Sequence, residues 1–125
     1  MFVSKLTIMV NYCLSSYYLP GGIDLAKKFV SENGNTEEHG EFYRMISISQ
    51  ENIWIQKSPP GSGLPDMQIV SIETNDPANV FKGLATSDHS WALKFRNYAK
   101  EAFGIDFSGP PPPPNENIVS WKENK

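Results

Sequence analysis

An α+β sandwich, with one antiparallel sheet and helices laid against it, is the architecture the sequence predicts, and three observations predict it. Short β-branched runs such as NIWIQK and MQIVSIET alternate their side chains between two faces. Between and after them lie stretches whose apolar residues recur at three- and four-residue spacing behind capping residues. The segments follow one another as strand, helices, strand, strand, helices, strand.

The elements can be justified in order. Leu6, Ile8, Val10, Tyr12 and Leu14 fall on one face of a first strand, and Thr7, Met9, Asn11 and Cys13 on the other. The first face belongs against helices. The second is half polar and suits a cavity lining or an intersubunit surface. Pro20-Gly21-Gly22 breaks the chain ahead of a helix over about residues 23–33, with Ile23, Ala26, Phe29 and Val30 as its buried stripe. Gly34 suits the C′ stop. Asn35 then reads as N-cap of a second helix over about 36–48, with Glu38 completing a capping-box variant. A hairpin follows, its strands at 52–57 and 67–74 joined by a Pro/Gly-rich connection. Neither face of that hairpin is plainly a solvent face, because Trp54 opposes the isoleucines and Ile69 opposes Val70.

Asn75-Asp76-Pro77 is a helix start with Asp76 as N-cap and Pro77 at N1. Pro77, Val80, Phe81 and Leu84 give its stripe. Ser87 or Asp88 caps a longer helix that runs to Phe103 and stops at Gly104. Trp91, Phe95, Tyr98 and Ala102 form an aromatic seam along it, with His89, Lys94 and Arg96 off its centre and solvated. Gly109 and the five prolines after it form a stiff connector. The same run is also the kind of segment that aromatic-grooved recognition domains bind. A last strand is expected at 117–122, docked through Trp121.

Two split βαβ halves in this order build a ferredoxin-like βαββαβ sandwich: a four-stranded antiparallel sheet with its first and third strands central. Helices cover only one face of such a sheet. Met9, Cys13 and Trp54 make the other too apolar for water, and a homodimer packing two sheets together would cover it.

Composition narrows the function. The 125 residues suit one domain, 1–125, able to bury a core without disulfide or metal. With a net charge of -3 and no Lys/Arg run, nucleic acid is not an expected partner. Cys13 is the sole cysteine, which suits a reducing cytoplasm. The N-terminal run carries polar Thr7 and Asn11 and lacks a small-residue cleavage site, so it reads as a strand, not a signal peptide. No run reaches transmembrane length, and no membrane partner is expected.

The chemistry of most common sites is missing. Gly61-Ser62-Gly63 lies inside a hairpin, not between a strand and a helix, so it is no phosphate loop. No Cys/His cluster has zinc spacing, and nothing marks a serine triad, so no metal or cofactor is expected. Glu37, Glu38 and Glu41 form a helix-start charge run that suits a solvated face. What remains is the second helix. His39, Phe42, Tyr43 and Ile46 share one stripe, which sets an imidazole and a phenol one turn apart on an apolar face. Asn11 and Cys13 from the first strand, and Trp54 or Trp91 as an aromatic wall, complete the expected ligand site. The alternative is that these side chains simply finish the core.

The segments EFYRMISI, ENIWIQ, DMQIVSIETNDP and YAKEAFGIDF, in that order, make the chain resemble the dimeric α+β-barrel superfamily, and within it a small set of uncharacterised ferredoxin-like dimeric proteins. The resemblance spans nearly the whole chain and implies a homodimer. It does not select a function, since the superfamily includes cofactor-free monooxygenases, haem-degrading enzymes, chlorite dismutases, polyketide cyclases and stress-responsive proteins. Two expectations follow. One is a homodimeric module that binds a small, partly apolar ligand between sheet and helices. The other is a cofactor-independent monooxygenase or isomerase/cyclase using the His39–Tyr43 pair, with Asn11 orienting a carbonyl. A haem-binding variant of the second would use His39 or His89 as axial ligand.

Overall fold

The structure, a computed structural model, describes residues 9–107, 109–113 and 115–124. Seven elements follow one another: β1 (Val10–Tyr17), α1 (Gly22–Asn33), α2 (Glu37–Met45), β2 (Ile48–Gln56), β3 (Met67–Thr74), α3 (Pro77–Thr86) and α4 (Ser90–Phe103). The α+β class and the four-helix, antiparallel-sheet arrangement expected from the sequence are present. Leu6, Thr7 and Ile8, expected at the start of the first strand, lie outside the described residues.

The sheet has three strands in the order β1-β3-β2, both pairings antiparallel. β3 is central as expected, but β1 is an edge, because residues 117–122 form no strand. The physical reason lies just before them. The chain reaches the β1 edge as prolines, which have no N–H to give to a ladder. Asn115 pairs with the edge through its side chain instead: its Oδ1 accepts from the Cys13 N–H at 2.6 Å, and its Nδ2 donates to the Cys13 carbonyl at 2.8 Å. The Tyr12 hydroxyl donates to the Pro113 carbonyl at 2.7 Å. Pro113 therefore seats on its own domain, while Trp121 is exposed.

Alternation along the strands decides what faces the helices. Tyr12 and Leu14 of β1 align with Ile72 and Val70 of β3, which align in turn with Glu51 and Ile53 of β2. This face carries the core, where Tyr12 and Ile72 pack with Phe42, Ile46, Val80, Leu84, Trp91 and Ala92. The opposite face aligns Cys13, Ser71 and Asn52, and next to them Ser15, Ile69 and Trp54.

Several boundaries differ from expectation for local reasons. Gly34 is the C-cap of α1 but stays extended, and Asn35 takes the left-handed turn at φ 56°. Thr36, not Asn35, caps α2, its hydroxyl accepting from the His39 N–H at 3.1 Å. α2 ends at Met45, since Ser47 turns the chain at φ 70° and Ile48 already belongs to the sheet. Asp76 and Pro77 begin α3 as expected. Ser87 closes α3, and His89 caps α4, its Nδ1 accepting from the Trp91 N–H at 3.1 Å. Gly104 ends α4 in the left-handed conformation at φ 71°. His89 and Arg96 are not solvated bystanders. His89 Nε2 meets Glu41 at 3.0 Å, and Arg96 donates to the carbonyls of Leu84 and Ser87, tying α4 to the end of α3. Among the described residues, no helix is long and apolar enough to cross a membrane.

Candidate functional site

Packing is incomplete between the sheet and the helical layer, where residues of all three strands and all four helices line one space. An interior cavity of ≈ 140 Å³ remains there, with mostly aliphatic and aromatic walls. It adjoins an open groove of ≈ 870 Å³ along the helix-facing side of β2. His39, Tyr43, Glu51, Ile53 and Gln68 line both spaces.

α2 places His39 and Tyr43 one turn apart, as their spacing requires, and α4 brings Trp91 against both. His39 stacks on Trp91 with centroids 4.7 Å apart and planes 6° from parallel, and meets Tyr43 edge-on at 4.1 Å. The indole N–H of Trp91 donates to the Asn33 carbonyl at 3.1 Å, which fixes the wall. Three of the six expected site residues are thus in one place.

The other three are elsewhere. Asn11 and Cys13 lie on the outer face of β1, and Trp54 lies on the outer face of β2, where it aligns with Ile69. Alternation makes this unavoidable: with Tyr12 and Leu14 inward, Asn11 and Cys13 point outward. None of the three reaches the cavity.

The imidazole of His39 is set by its surroundings. Its Nδ1 accepts from the Asn35 N–H at 2.9 Å, so in the neutral ring Nε2 carries the proton. Nε2 is buried and has no partner among the described residues. Burial lowers the pKa of the ring below the usual histidine value, which favours this neutral form. A side chain that lines the cavity therefore keeps an unused N–H donor.

One turn along the same helix, the Tyr43 hydroxyl donates to Glu51 Oε1 at 2.8 Å. Burial raises the Glu51 carboxyl above the usual range, although the bond from Tyr43 partly opposes the shift. Tyr43 is pushed well up, first by burial and then by the Glu51 charge. Gln68 adds a further polar group, its Oε1 accepting from the hydroxyls of Tyr18 at 3.1 Å and Tyr98 at 3.4 Å.

Glu51 and Gln68 are additions to the site expected from the sequence. The signal for Glu51 is legible in retrospect: in period two with Ile53 and Ile55, it is a carboxylate in register with two inward isoleucines. His89 is not available as an axial ligand, because both of its ring nitrogens are engaged, one by the Trp91 N–H and the other by Glu41.

No protein-family model, curated protein or solved structure matches the chain. The residues of the cavity therefore carry the functional argument by themselves. They define a largely apolar recess with one free donor and one carboxylate–phenol pair.

Proposed function

We propose that the protein binds a compact, largely apolar small molecule in the recess between sheet and helices, holding it by one hydrogen-bond-accepting group such as a carbonyl. The observation that carries this reading is His39 Nε2, a buried donor without a partner among the described residues, on a side chain that lines the apolar cavity. Native cores leave few such groups unpaired, since each costs about 1–3 kcal/mol. A bound acceptor would remove that cost. An apolar protein cavity of about 150 Å³ holds a benzene-sized molecule, which sets the scale of the ligand's buried part.

Native mass spectrometry of freshly purified protein tests the reading, with His39→Ala and Tyr43→Phe as paired variants. A retained ligand that both variants lose, with little change in melting temperature, supports the site. If both variants instead destabilise by about 1–3 kcal/mol and no ligand is found, the side chains finish the core and the site is withdrawn.

The same proposal includes the ferredoxin-like dimer. Trp54 is 52% exposed on the outer sheet face, beside Ile69 and Met67, and a second sheet packed there would cover it. The four-stranded sheet and the dimeric barrel belong to this assembled state, and the free thiol of Cys13 suits a reducing compartment such as the cytoplasm. Light scattering should report a dimer at micromolar concentration. Trp54→Asp should dissociate or unfold it, and a wild-type monomer would refute the assembly.

A second reading, a cofactor-independent isomerase/cyclase or monooxygenase, is favoured by Glu51. A buried carboxyl with raised pKa beside a phenol and a donor imidazole is equipped to move a proton on a bound carbonyl compound. Incubation of a retained ligand in heavy water would incorporate deuterium at carbon if this reading holds. Glu51→Gln would then abolish the exchange while preserving binding.

A further inference from the structure

We propose that residues 117–124 of one copy add as a strand to the open edge of β2 in a second copy, laying Val119 and Trp121 into the groove beneath α1 and α2. The inference rests on the homodimer reading above and names a contact which that reading does not contain.

The receiving edge is unprotected. Among the described residues β2 pairs only with β3, so one row of its backbone N–H and C=O groups faces outward. Ile53 and Ile55 are 45% and 38% exposed although they point to the helical side, because the groove runs beside them.

The donated segment is unprotected in the same way. Ile118, Val119 and Trp121 are 87%, 76% and 81% exposed. Among the described residues a local turn organises them, in which Asn117 accepts from the Val119 N–H and donates to the Ser120 hydroxyl. Once extended, this segment places Val119 and Trp121 on one side and Ile118 and Ser120 on the other. β2 has the matching period, with Ile53 and Ile55 toward the groove and Trp54 toward the outer face. Paired, the two strands would join Val119 and Trp121 to the isoleucines, and Ile118 to Trp54. Eight extended residues reach about 27 Å, close to the roughly 30 Å of a nine-residue strand.

Two features direct the segment to another molecule. On its own β1 edge, the Cys13 N–H and C=O are already taken by Asn115. That same clip fixes the start of the segment at the far side of the sheet from β2. Reaching its own β2 would mean crossing two inter-strand steps of about 4.8 Å each over the outer side chains, and that route uses up the residues that should pair.

Disulfide trapping in the full-length chain tests the contact, in a Cys13→Ser background. One protein carries Ser120→Cys and the other carries Asn52→Cys or Gln56→Cys, both on the outer side of β2. Each copy has one thiol, so any mixed disulfide is intermolecular. The expected result is a mixed dimer at least about tenfold more abundant than with a control thiol from Lys100→Cys on α4. Trp121→Asp on the tail, or Ile55→Asp on the receiving strand, should lower it about tenfold, roughly the loss of one buried apolar contact. Ile55 faces the groove, so a contact through the outer sheet face alone would not respond to it. Far-UV circular dichroism confirms that each variant is folded, and the two β2 positions back each other up. A dimer by light scattering without preferential cross-linking overturns this inference and leaves the homodimer standing. A monomer overturns both. Cross-linking that ignores Trp121 and Ile55, or closure only within a chain carrying both cysteines, overturns the strand addition.

Discussion

The helical layer behaves differently over its two halves. Where α3 and α4 meet the end of α2, the side chains are closed to solvent: Phe42, Val80 and Ala92 are essentially inaccessible, although Val80 also borders the interior cavity. The hydroxyl of Thr74, also fully buried, accepts from the Asp76 N–H at 3.0 Å as the chain enters α3. Where α1 and α2 pass over β2, Val30, Ile53 and Ile55 stay partly exposed around the recess. The difference follows from the side chains supplied. The closed half receives aromatic, aliphatic and small apolar residues that interdigitate. The open half receives Glu51, Gln68 and His39, whose polar atoms need partners and hold the layers apart.

Substitutions should separate the halves, the largest effects falling on the closed one. Phe42→Ala should cost about 3–5 kcal/mol in urea unfolding, since the cavity it leaves sits among rigid neighbours. Gly83→Ala comes next. On an open helix surface alanine gains about 1 kcal/mol over glycine. Here the added methyl would run into the Ile46 side chain, and a net loss of about 1–3 kcal/mol is expected. Asn115→Ala should cost about 1 kcal/mol by releasing both bonds to Cys13. On the open half, Ile55→Ala should change stability by less than about 1 kcal/mol, since the side chain is half in water already.

The titratable groups of the recess sharpen the contrast, because their signs oppose. The folded-state pKa of His39 is lowered, so its contribution is present above the unfolded value near 6.5 and is lost as pH falls below it. The folded-state pKa of Glu51 is raised, so its burial penalises the fold above that pKa and the penalty disappears on acidification toward 4.5. Thermal melts of His39→Gln should therefore lose a small destabilisation seen in the wild type below pH 6.5. Glu51→Gln should raise the neutral-pH melting temperature relative to wild type, with the gap closing near pH 4.5. If Glu51→Gln melts lower at pH 7, the Tyr43 bond outweighs the cost of burial.

How much of this is legible in the sequence depends on range. Local grammar carries the helices: Asp76-Pro77 opens α3 and Gly104 closes α4 because caps and left-handed turns are decided by a few neighbouring residues. Period two correctly joins Tyr12 to Leu14 and sets Trp54 against its isoleucine neighbours. It also contradicts gathering Asn11, Cys13 and Trp54 into one site with His39, a conflict the strand pattern alone reveals. The fate of residues 117–122 is a different matter. NIVSWK has strand composition, but whether it pairs depends on what already occupies the β1 edge, and Asn115 reaches Cys13 across 102 positions of chain. The tie of Arg96 to Leu84 and Ser87 is equally invisible to periodicity, being a matter of where two helices happen to meet.

The bond from the Asn35 amide to His39 Nδ1 also makes the α1–α2 turn a spectroscopic listener. A ligand that accepts from Nε2–H makes the imidazole more electron-rich, strengthens Nδ1 as an acceptor, and moves the Asn35 amide proton downfield. Protonation of the ring removes that acceptor, frees the amide, and speeds its exchange with solvent. One backbone resonance, at a residue that lines the open groove, thus distinguishes an occupied imidazole from a charged one without any label on the ligand.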